Sequence, residues 1–168
     1  ILAIAAAWGY TGGKNPYGYS GLGEVSVFTF FGLVATMGTY YVQTESLTVL
    51  SFIVAIPMGA FACAILEVNN IRDRAQDELV GKRTLAVRLG DRKARHLYVS
   101  LLVLAHVAAV ATLVPTAMLT LLVAPMSFSI SKLVLSGASG KELIPALGRT
   151  GKLQLIFAIL FALALAIQ

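Results

Sequence analysis

Two acidic residues at helical spacing, Asp73 and Asp77, are the clearest chemical signal in the sequence. Residues four apart lie on one face of a helix, so these carboxylates point the same way, and Asn69 and Asn70 precede them on that face. Carboxylate and carboxamide oxygens suit a hard cation, and Mg²⁺ usually binds one or two carboxylates together with substrate phosphates. The spacing therefore predicts Asp73 and Asp77 as ligands of magnesium.

Basic residues flank the acidic pair and could hold a diphosphate. They are Arg72, Lys82, Arg83 and Arg88. Gly81 is expected to end the helix and let the Lys-Arg pair turn back toward the aspartates. The alternative is an ordinary solvated helix face, in which Arg74 pairs with Asp77 or Glu78 at a gain of about 0.2–0.5 kcal/mol.

The segment that carries the acidic pair lies between long stretches that have no Asp, Glu, Lys or Arg and that must hold it in place. These stretches are 25–44, 46–66, 97–131 and 153–168. About 20 helical residues cross the hydrocarbon core of a bilayer, and backbone amides in lipid must bond within the helix. We predict five membrane spans, at 25–44, 46–66, 97–114, 116–135 and 153–168, with Pro115 opening the fourth.

The composition agrees with a membrane protein. Of the 168 residues, 58% are hydrophobic and 12% are charged, and the mean hydropathy is +0.83. Soluble domains average roughly 45–50% apolar and 25% charged residues. These values exclude a disordered chain and an ordinary soluble domain, and the single Cys excludes a disulfide scaffold. The predicted fold class is an all-α polytopic transmembrane bundle.

The charges are divided unequally between the two ends of the predicted bundle. All 13 Lys and Arg residues lie in 9–23, 67–96 and 132–152, which five crossings place on one side, and the other side carries only Glu45. An excess of Lys and Arg in short loops marks the cytoplasmic face. We therefore expect a multi-pass cell-membrane protein with its site on the cytoplasmic face and no nucleic-acid partner. Because the apolar Ile1–Trp8 is too short to cross, we also expect it to be the tail of a sixth helix.

Three runs of residues carry a family resemblance. Asn69–Gly90 reads N-N-I-R-D-x-x-x-D-x-x-x-G-K-R-T-L-A-V-R-L-G and closely resembles the second aspartate-rich motif of the UbiA superfamily of intramembrane prenyltransferases. The Gly- and Tyr-rich run Gly9–Glu24 and the run Gly38–Gln43 look like segments of the branch that acts on 1,4-dihydroxy-2-naphthoate in menaquinone synthesis.

The resemblance implies a nine-helix fold around a central cavity, with aspartate-rich motifs after helices two and six. Residues 1–168 would then be the C-terminal part of a single integral-membrane domain, from the end of helix four through helix nine. The first aspartate motif is absent from these residues. We therefore expect this fragment to hold half of the metal site and to be inactive alone.

The reaction implied by the resemblance joins a polyprenyl diphosphate to an aromatic acid in the presence of Mg²⁺. The allylic C–O bond ionises, the ring of 1,4-dihydroxy-2-naphthoate attacks the cation, and its carboxyl leaves as CO₂ to give demethylmenaquinone. Asp73 and Asp77 are the predicted catalytic metal ligands. Asn70 is a candidate contact to diphosphate or metal, and Arg72 and Lys82 are candidate contacts to diphosphate.

Aromatic rings can stabilise an allylic cation by cation–π attraction. The available rings are Tyr10, Tyr17, Tyr19, Tyr40 and Tyr41, of which Tyr10 and Tyr19 are the candidate substrate-binding residues. The alternative for any of them is an interfacial position at the membrane surface. Lys14 is a candidate contact to the substrate carboxylate, or else a charge that only orients the protein.

Three polar residues outside the motif have structural and functional interpretations. Glu24 opens a predicted helix, where its charge suits the helix dipole, although a catalytic role stays open. His106 lies in mid-span and is either functional or a neutral side chain bonded to a neighbouring helix. Cys63 is expected to be a small packing residue.

Other functions remain open from the sequence. They are a UbiA-type enzyme for another aromatic acceptor, a phosphatidyl-group transferase, a transporter or channel subunit, and a non-catalytic membrane fragment. The phosphatidyl-transferase alternative lacks its longer D-G-x-x-A-R…G…D-x-x-x-D pattern. The transporter alternative lacks charges in the middle of the predicted spans.

Overall fold

A computed structural model describes residues 1–14 and 16–167. Asn15, in the Gly- and Tyr-rich run, and Gln168, in the last predicted span, lie outside the described residues. The helices are α1 (Leu2–Thr11), α2 (Gly23–Thr44), α3 (Val49–Leu79), α4 (Leu85–Leu89), α5 (Asp91–Val110), α6 (Pro115–Leu135) and α7 (Gly140–Ala166), with a 3₁₀ turn at Tyr17–Ser20. Every regular element in the described residues is helical, as predicted.

Five of these helices, α2, α3, α5, α6 and α7, are long and apolar enough to cross a membrane. The five predicted spans and the multi-pass class are therefore confirmed, and Pro115 is the first residue of α6. Two predicted boundaries are wrong. The last helix begins at Gly140 rather than at 153, because Ser139 and Glu142 form a reciprocal cap that starts it early. The third span ends at Val110, before a turn in which Leu113 has a φ of 58°.

Helix α3 is the centre of the bundle. Its first turn is fixed by a capping box, in which the amides of Ser51 and Thr48 donate to each other's hydroxyls at 3.0 and 3.1 Å. The helix packs along α5 and also contacts α2 and α7. Phe61 of α3 and Phe157 of α7 are fully buried against each other, with ring centroids 4.8 Å apart. The polar segment after residue 66 thus continues from a helix that is packed on several sides.

Helix α2 crosses α3 at a pair of glycines. A Cβ atom on Gly32 would lie 2.6 Å from the Cα of Gly59, closer than any real contact. The crossing falls in a π-helical section of α2, Phe28–Val34, and wide turns of this kind often lie near functional sites. The close approach places the first turn of α2 beside the polar part of α3.

The three basic connections lie at one end of the bundle. The amide of Arg83 donates to the carbonyl of Tyr19 at 2.9 Å, and the Arg95 guanidinium donates to the carbonyl of Ala138 at 2.9 Å. At the other end the hydroxyl of Thr116 donates to the carbonyl of Ala164 at 2.6 Å. These contacts agree with the predicted alternation of connections. That the basic end faces the cytoplasm stays a prediction.

Candidate active site

The acidic motif lies on the last turns of α3. The helix continues without a break from its uncharged part into residues 67–79, which we call the α3 extension. The prediction that this helix runs on into the polar segment is confirmed. Because the extension is regular helix, Asp73 and Asp77 lie one turn apart on one face.

Asp73 is bound by the neighbouring guanidinium. Arg72 donates from Nε to Oδ1 at 2.7 Å and from Nη2 to Oδ2 at 2.6 Å. The Asp73 side chain is 37% exposed, so this pair is open to exchange with a ligand. These hydrogen bonds lower the pKa of the Asp73 carboxyl, which lies beyond the apolar part of α3.

Asp77 is bound by a lysine that follows the end of α3. The Nζ atom of Lys82 lies 3.2 and 3.1 Å from the two Asp77 oxygens. The chain reverses at Gly81, whose φ of 76° suits glycine, and the Lys82 amide donates to the Asp77 carbonyl at 2.8 Å. The predicted return of this lysine toward the aspartates is confirmed.

Tyr19 is brought to the same site. The ammonium of Lys82 lies 5.4 Å from the centroid of the Tyr19 ring, within the range of a cation–π contact. The loop before α2 reaches this position because the amide of Arg83 bonds the Tyr19 carbonyl. Tyr19, which is far from Asp77 and Lys82 in sequence, therefore joins them in one cluster.

An apolar cavity of about 530 Å³ opens beside the acidic motif, between α2, α3 and α7. Its lining is Val27, Phe31, Ala62, Ile65, Leu66, Asn69, Leu147 and Gln154. Asn69 lies one helical turn before Asp73, so the polar end of the cavity lies one turn from the acidic pair.

Asn70 lies on the same helix face as Asp73 and Asp77, as its spacing predicts. Its carboxamide was expected to be open to substrate, yet Asn70 is only 4% exposed. Its Nδ2 donates to Oε1 of Glu24 at 3.0 Å. Glu24 lies in the first turn of α2, as its dipole preference predicts, and is itself buried. The bond joins two helices that the sequence does not show to be neighbours.

Glu67 is the polar residue that the sequence interpretation missed. It was assigned to a cytoplasmic connection, but it is 0% exposed within α3, beside the Glu24 carboxyl. The two carboxyls lie within hydrogen-bonding distance, so that one can donate to the other when it is protonated. No other group in residues 1–14 and 16–167 donates to the Glu67 oxygens. The available signal was its position directly after an apolar stretch with no helix breaker, three residues before Asn70.

The other candidate substrate contacts lie away from the aspartates. Tyr10 and Tyr17 pack edge to face at 5.5 Å in a second apolar cavity of about 520 Å³ between α1 and α2. Lys14 is exposed, and within the described part of the chain no hydrogen bond or ion pair joins it to the motif. Tyr40 lies at the other end of α2, near Thr48.

The remaining polar predictions have clear outcomes. Nε2 of His106 lies 2.9 Å from the Ser127 hydroxyl, which confirms the bond to a neighbouring helix. Cys63 is buried, and its thiol contacts the Glu24 carbonyl at 3.2 Å. The predicted surface pairing of Arg74 with Asp77 or Glu78 is confirmed for Glu78, at 3.9 Å. The Arg74 guanidinium also lies 3.9 Å from Asp91.

The carboxylate oxygens of Asp73 and Asp77 fit the coordination preference of magnesium. Among the described residues no group of three or more Asp, Glu, His or Cys side chains is placed to hold a metal. Two carboxylates are nevertheless what Mg²⁺ commonly takes from a protein when phosphate oxygens and waters complete its shell. Magnesium at this pair stays a prediction.

Comparison with known proteins agrees with the motifs. The profile of the UbiA prenyltransferase family matches residues 1–147. A 1,4-dihydroxy-2-naphthoate octaprenyltransferase of Mycobacterium tuberculosis is 44% identical over 98% of this chain and 57% of its own length. The enzyme of that name in Escherichia coli is 38% identical over 98% of the chain and 55% of its length. Human UbiA prenyltransferase domain-containing protein 1 is 34% identical over 94% of the chain and 46% of its length. The chain thus spans about half the length of these relatives, and it belongs to the UbiA prenyltransferase family.

Proposed function

We propose that the complete protein containing this chain transfers a polyprenyl group from polyprenyl diphosphate to 1,4-dihydroxy-2-naphthoate. Diphosphate and CO₂ are released, and the product is demethylmenaquinone. The observation that carries this proposal is the 38–44% identity, across 98% of the chain, to bacterial proteins named for that transfer. The aligned region includes the aspartates and the cavity beside them.

Asp73 and Asp77 would hold Mg²⁺, which when bound supplies positive charge to the diphosphate oxygens. Arg72 and Lys82 already lie against these carboxylates. They are therefore placed to stabilise the negative charge that develops on the leaving diphosphate. In the absence of substrate, the same cations neutralise the aspartates.

The apolar cavity beside Asn69 supplies the second requirement of the reaction, which is protection of the allylic cation from water. Its wall of Val, Phe, Ala, Ile and Leu side chains suits an isoprenoid chain. Tyr19, next to Lys82, is the ring of this chain closest to the predicted diphosphate position. Tyr10 faces the separate cavity and is the weaker of the two candidates.

The proposed site lies at the cytoplasmic surface of the cell membrane. All 13 Lys and Arg residues lie in the connections at this end or in the helix ends that adjoin them, which supports a cytoplasmic orientation. The large hydrophobic side chains exposed along the five long helices, such as Phe31, Val103 and Leu155, would contact membrane lipid.

The test is a product assay with the complete protein in lipid nanodiscs. The protein is incubated with Mg²⁺, octaprenyl diphosphate and either 1,4-dihydroxy-2-naphthoate or 4-hydroxybenzoate, and the products are weighed by mass spectrometry. We expect a decarboxylated prenyl naphthoquinol and no prenylated benzoate. Prenylation of 4-hydroxybenzoate alone would assign a different acceptor, and no prenylated product with either acid would contradict the proposal.

A further inference from the structure

The proposed reaction leaves the buried Glu24 carboxyl without a role. Glu24 is 9% exposed, and its Oε1 accepts a hydrogen bond from Nδ2 of Asn70 at 3.0 Å. Its second oxygen, Oε2, is buried, and its carboxyl lies within hydrogen-bonding distance of the Glu67 carboxyl. Because a buried carboxyl is costly unless its oxygens are hydrogen-bonded or paired, the Asn70 amide is an important partner of Glu24.

The bond to Glu24 decides which way the Asn70 carboxamide faces. A carboxylate only accepts hydrogen bonds, an amide nitrogen only donates, and an amide oxygen only accepts. Glu24 therefore selects the nitrogen of Asn70, and the oxygen Oδ1 is left on the other branch of the side chain. Without an acceptor at position 24, nothing in this contact distinguishes the two ends of the carboxamide.

Asn70 is close to the acidic pair along α3. The helix is unbroken from Val49 to Leu79, so Asn70 lies one turn before Asp73 and two turns before Asp77. At 3.6 residues per turn, the three side chains leave the helix within an arc of about 60°. An oxygen of Asn70 that could bind a metal therefore shares the helix face of the two carboxylates and lies one turn from Asp73.

We propose that Glu24 is a positioning residue of the active site, acting through Asn70 to present a carboxamide oxygen beside Asp73 and Asp77. The inference rests on the proposed function, because an added oxygen donor is useful where a hard divalent cation binds. Glu24 itself does not touch substrate or metal.

The contact between α2 and α3 does not depend on the bond between Glu24 and Asn70 alone. A merely structural role of Glu24 can therefore be distinguished from a positioning role. The helices approach closely at Gly32 and Gly59, and the Cys63 thiol contacts the backbone carbonyl of Glu24 at 3.2 Å. Cys63→Ala therefore perturbs the same interface while keeping the bond between Glu24 and Asn70. It is the matched control.

The experiment measures magnesium pyrophosphate binding by calorimetry in the complete protein, together with kcat and the KM for Mg²⁺. Glu24→Met, which keeps the volume but loses the acceptor, is expected to weaken binding about 10-fold, the scale of a hydrogen bond to a charged group. Asn70→Ala is expected to do the same, and the double variant should be no worse than Asn70→Ala alone. Glu24→Gln, which keeps an acceptor oxygen, should recover most of the binding, and Cys63→Ala should match the wild type.

A swapped pair tests the same idea even if Glu24→Met does not fold. Asn70→Asp places two carboxylates in contact and should bind magnesium pyrophosphate weakly. Adding Glu24→Gln to Asn70→Asp restores a donor and an acceptor with the roles reversed, and one oxygen of the carboxylate introduced at position 70 stays available to the site. We expect this double variant to bind at least about 5-fold more tightly than Asn70→Asp alone, part of the range for such a bond.

The outcomes separate the two levels of the account. If the wild type fails to bind magnesium pyrophosphate, the metal site of the proposed function is wrong. If the wild type binds while Glu24→Met also binds normally, or if the Glu24 and Asn70 effects multiply, or if the swapped pair gives no recovery, the positioning role is wrong.

Discussion

Helix α3 contributes to two acidic pairs with opposite surroundings. On the extension, Asp73 and Asp77 are each bound by a cation from a nearby residue of the chain, Arg72 and Lys82. Deeper along the same helix, Glu67 lies beside Glu24 of α2, and neither carboxyl has a cationic partner within residues 1–14 and 16–167. The deep pair receives one amide, from Asn70.

The difference shows how position decides what a carboxylate can do. The Asp73 side chain is 37% exposed, so its guanidinium partner can be exchanged for a metal or a phosphate at little cost in solvation. Glu67 is fully buried, where exchange with a ligand has no path. In the outer pair, Asp73 and Asp77, the exposed Asp73 is therefore suited to binding a ligand, whereas Asp77 is 7% exposed and is covered by Lys82. The inner pair, Glu24 and Glu67, is suited to holding neighbouring groups in place.

The largest expected effect is at the outer pair. Asp73→Asn or Asp77→Asn in the complete enzyme should lower turnover roughly 10²-fold or more, as removal of one electrostatic group at a transition state does. The matched control is Glu78→Gln, which removes an exposed acid from the same helix turn. Product formation measured by mass spectrometry checks the prediction. Near-normal prenylation by both aspartate variants would refute the ligand assignment.

The next largest effect is expected when the crossing of α2 and α3, which brings Glu24 and Glu67 together, is disrupted. Gly32→Ala places a methyl group 2.6 Å from the Gly59 backbone, and such overpacking should cost about 1–3 kcal/mol of stability. Thermal unfolding measures the loss. Gly38→Ala, on the same helix with no atom within 4 Å of the added Cβ, is the control. Equal melting temperatures for the two variants would show that this crossing is not tightly packed.

A smaller effect is expected when the cation that binds Asp77, Lys82, is removed and the carboxylate is kept. Lys82→Met keeps much of the side-chain length but removes the charge from Asp77 and from the face of Tyr19. We expect the KM for the prenyl diphosphate to rise about 10-fold, with a smaller change in the KM for the aromatic acid. Lys141→Met, at an exposed basic position in the first turn of α7, should leave both constants unchanged. Equal changes in the two KM values would argue against a specific contact to diphosphate.

The smallest effect is at the inner pair. Glu67→Gln keeps the shape of a fully buried side chain whose one hydrogen-bonding neighbour in the described part of the chain is the Glu24 carboxyl. The substitution removes the potential charge and gives position 67 an amide that can donate to Glu24. Because an unpaired buried charge is unfavourable, the melting temperature should stay the same or rise. A fall of more than about 4 °C, which corresponds to roughly 1 kcal/mol or more for a protein of this size, would show that Glu67 makes a stabilising bond as an acid.

The sequence predicts the outer pair well because its determinants are local. The aspartates are one helical turn apart, and Gly81 and Lys82 follow within a few residues. Helical periodicity and the conformational freedom of glycine are sufficient to place them together. The five spans are predictable for a similar reason, since each is set by the local absence of charge.

The inner pair depends on contacts that local patterns do not contain. The bond between Glu24 and Asn70 joins residues 46 positions apart and requires that α2 cross α3 at Gly32 and Gly59. Nothing in the spacing of these glycines indicates that they meet. The early start of α7 is different, because the Ser139 and Glu142 capping pair is visible in the sequence and could have moved that boundary.

The central claim is that Asp73 and Asp77 together hold magnesium for the departure of diphosphate. Calorimetric titration of magnesium pyrophosphate into the complete protein, and into its Asp73→Asn/Asp77→Asn variant, tests it most directly. We predict saturable binding to the wild type that requires Mg²⁺ and is lost in the variant. Binding of equal strength to both proteins would contradict the claim.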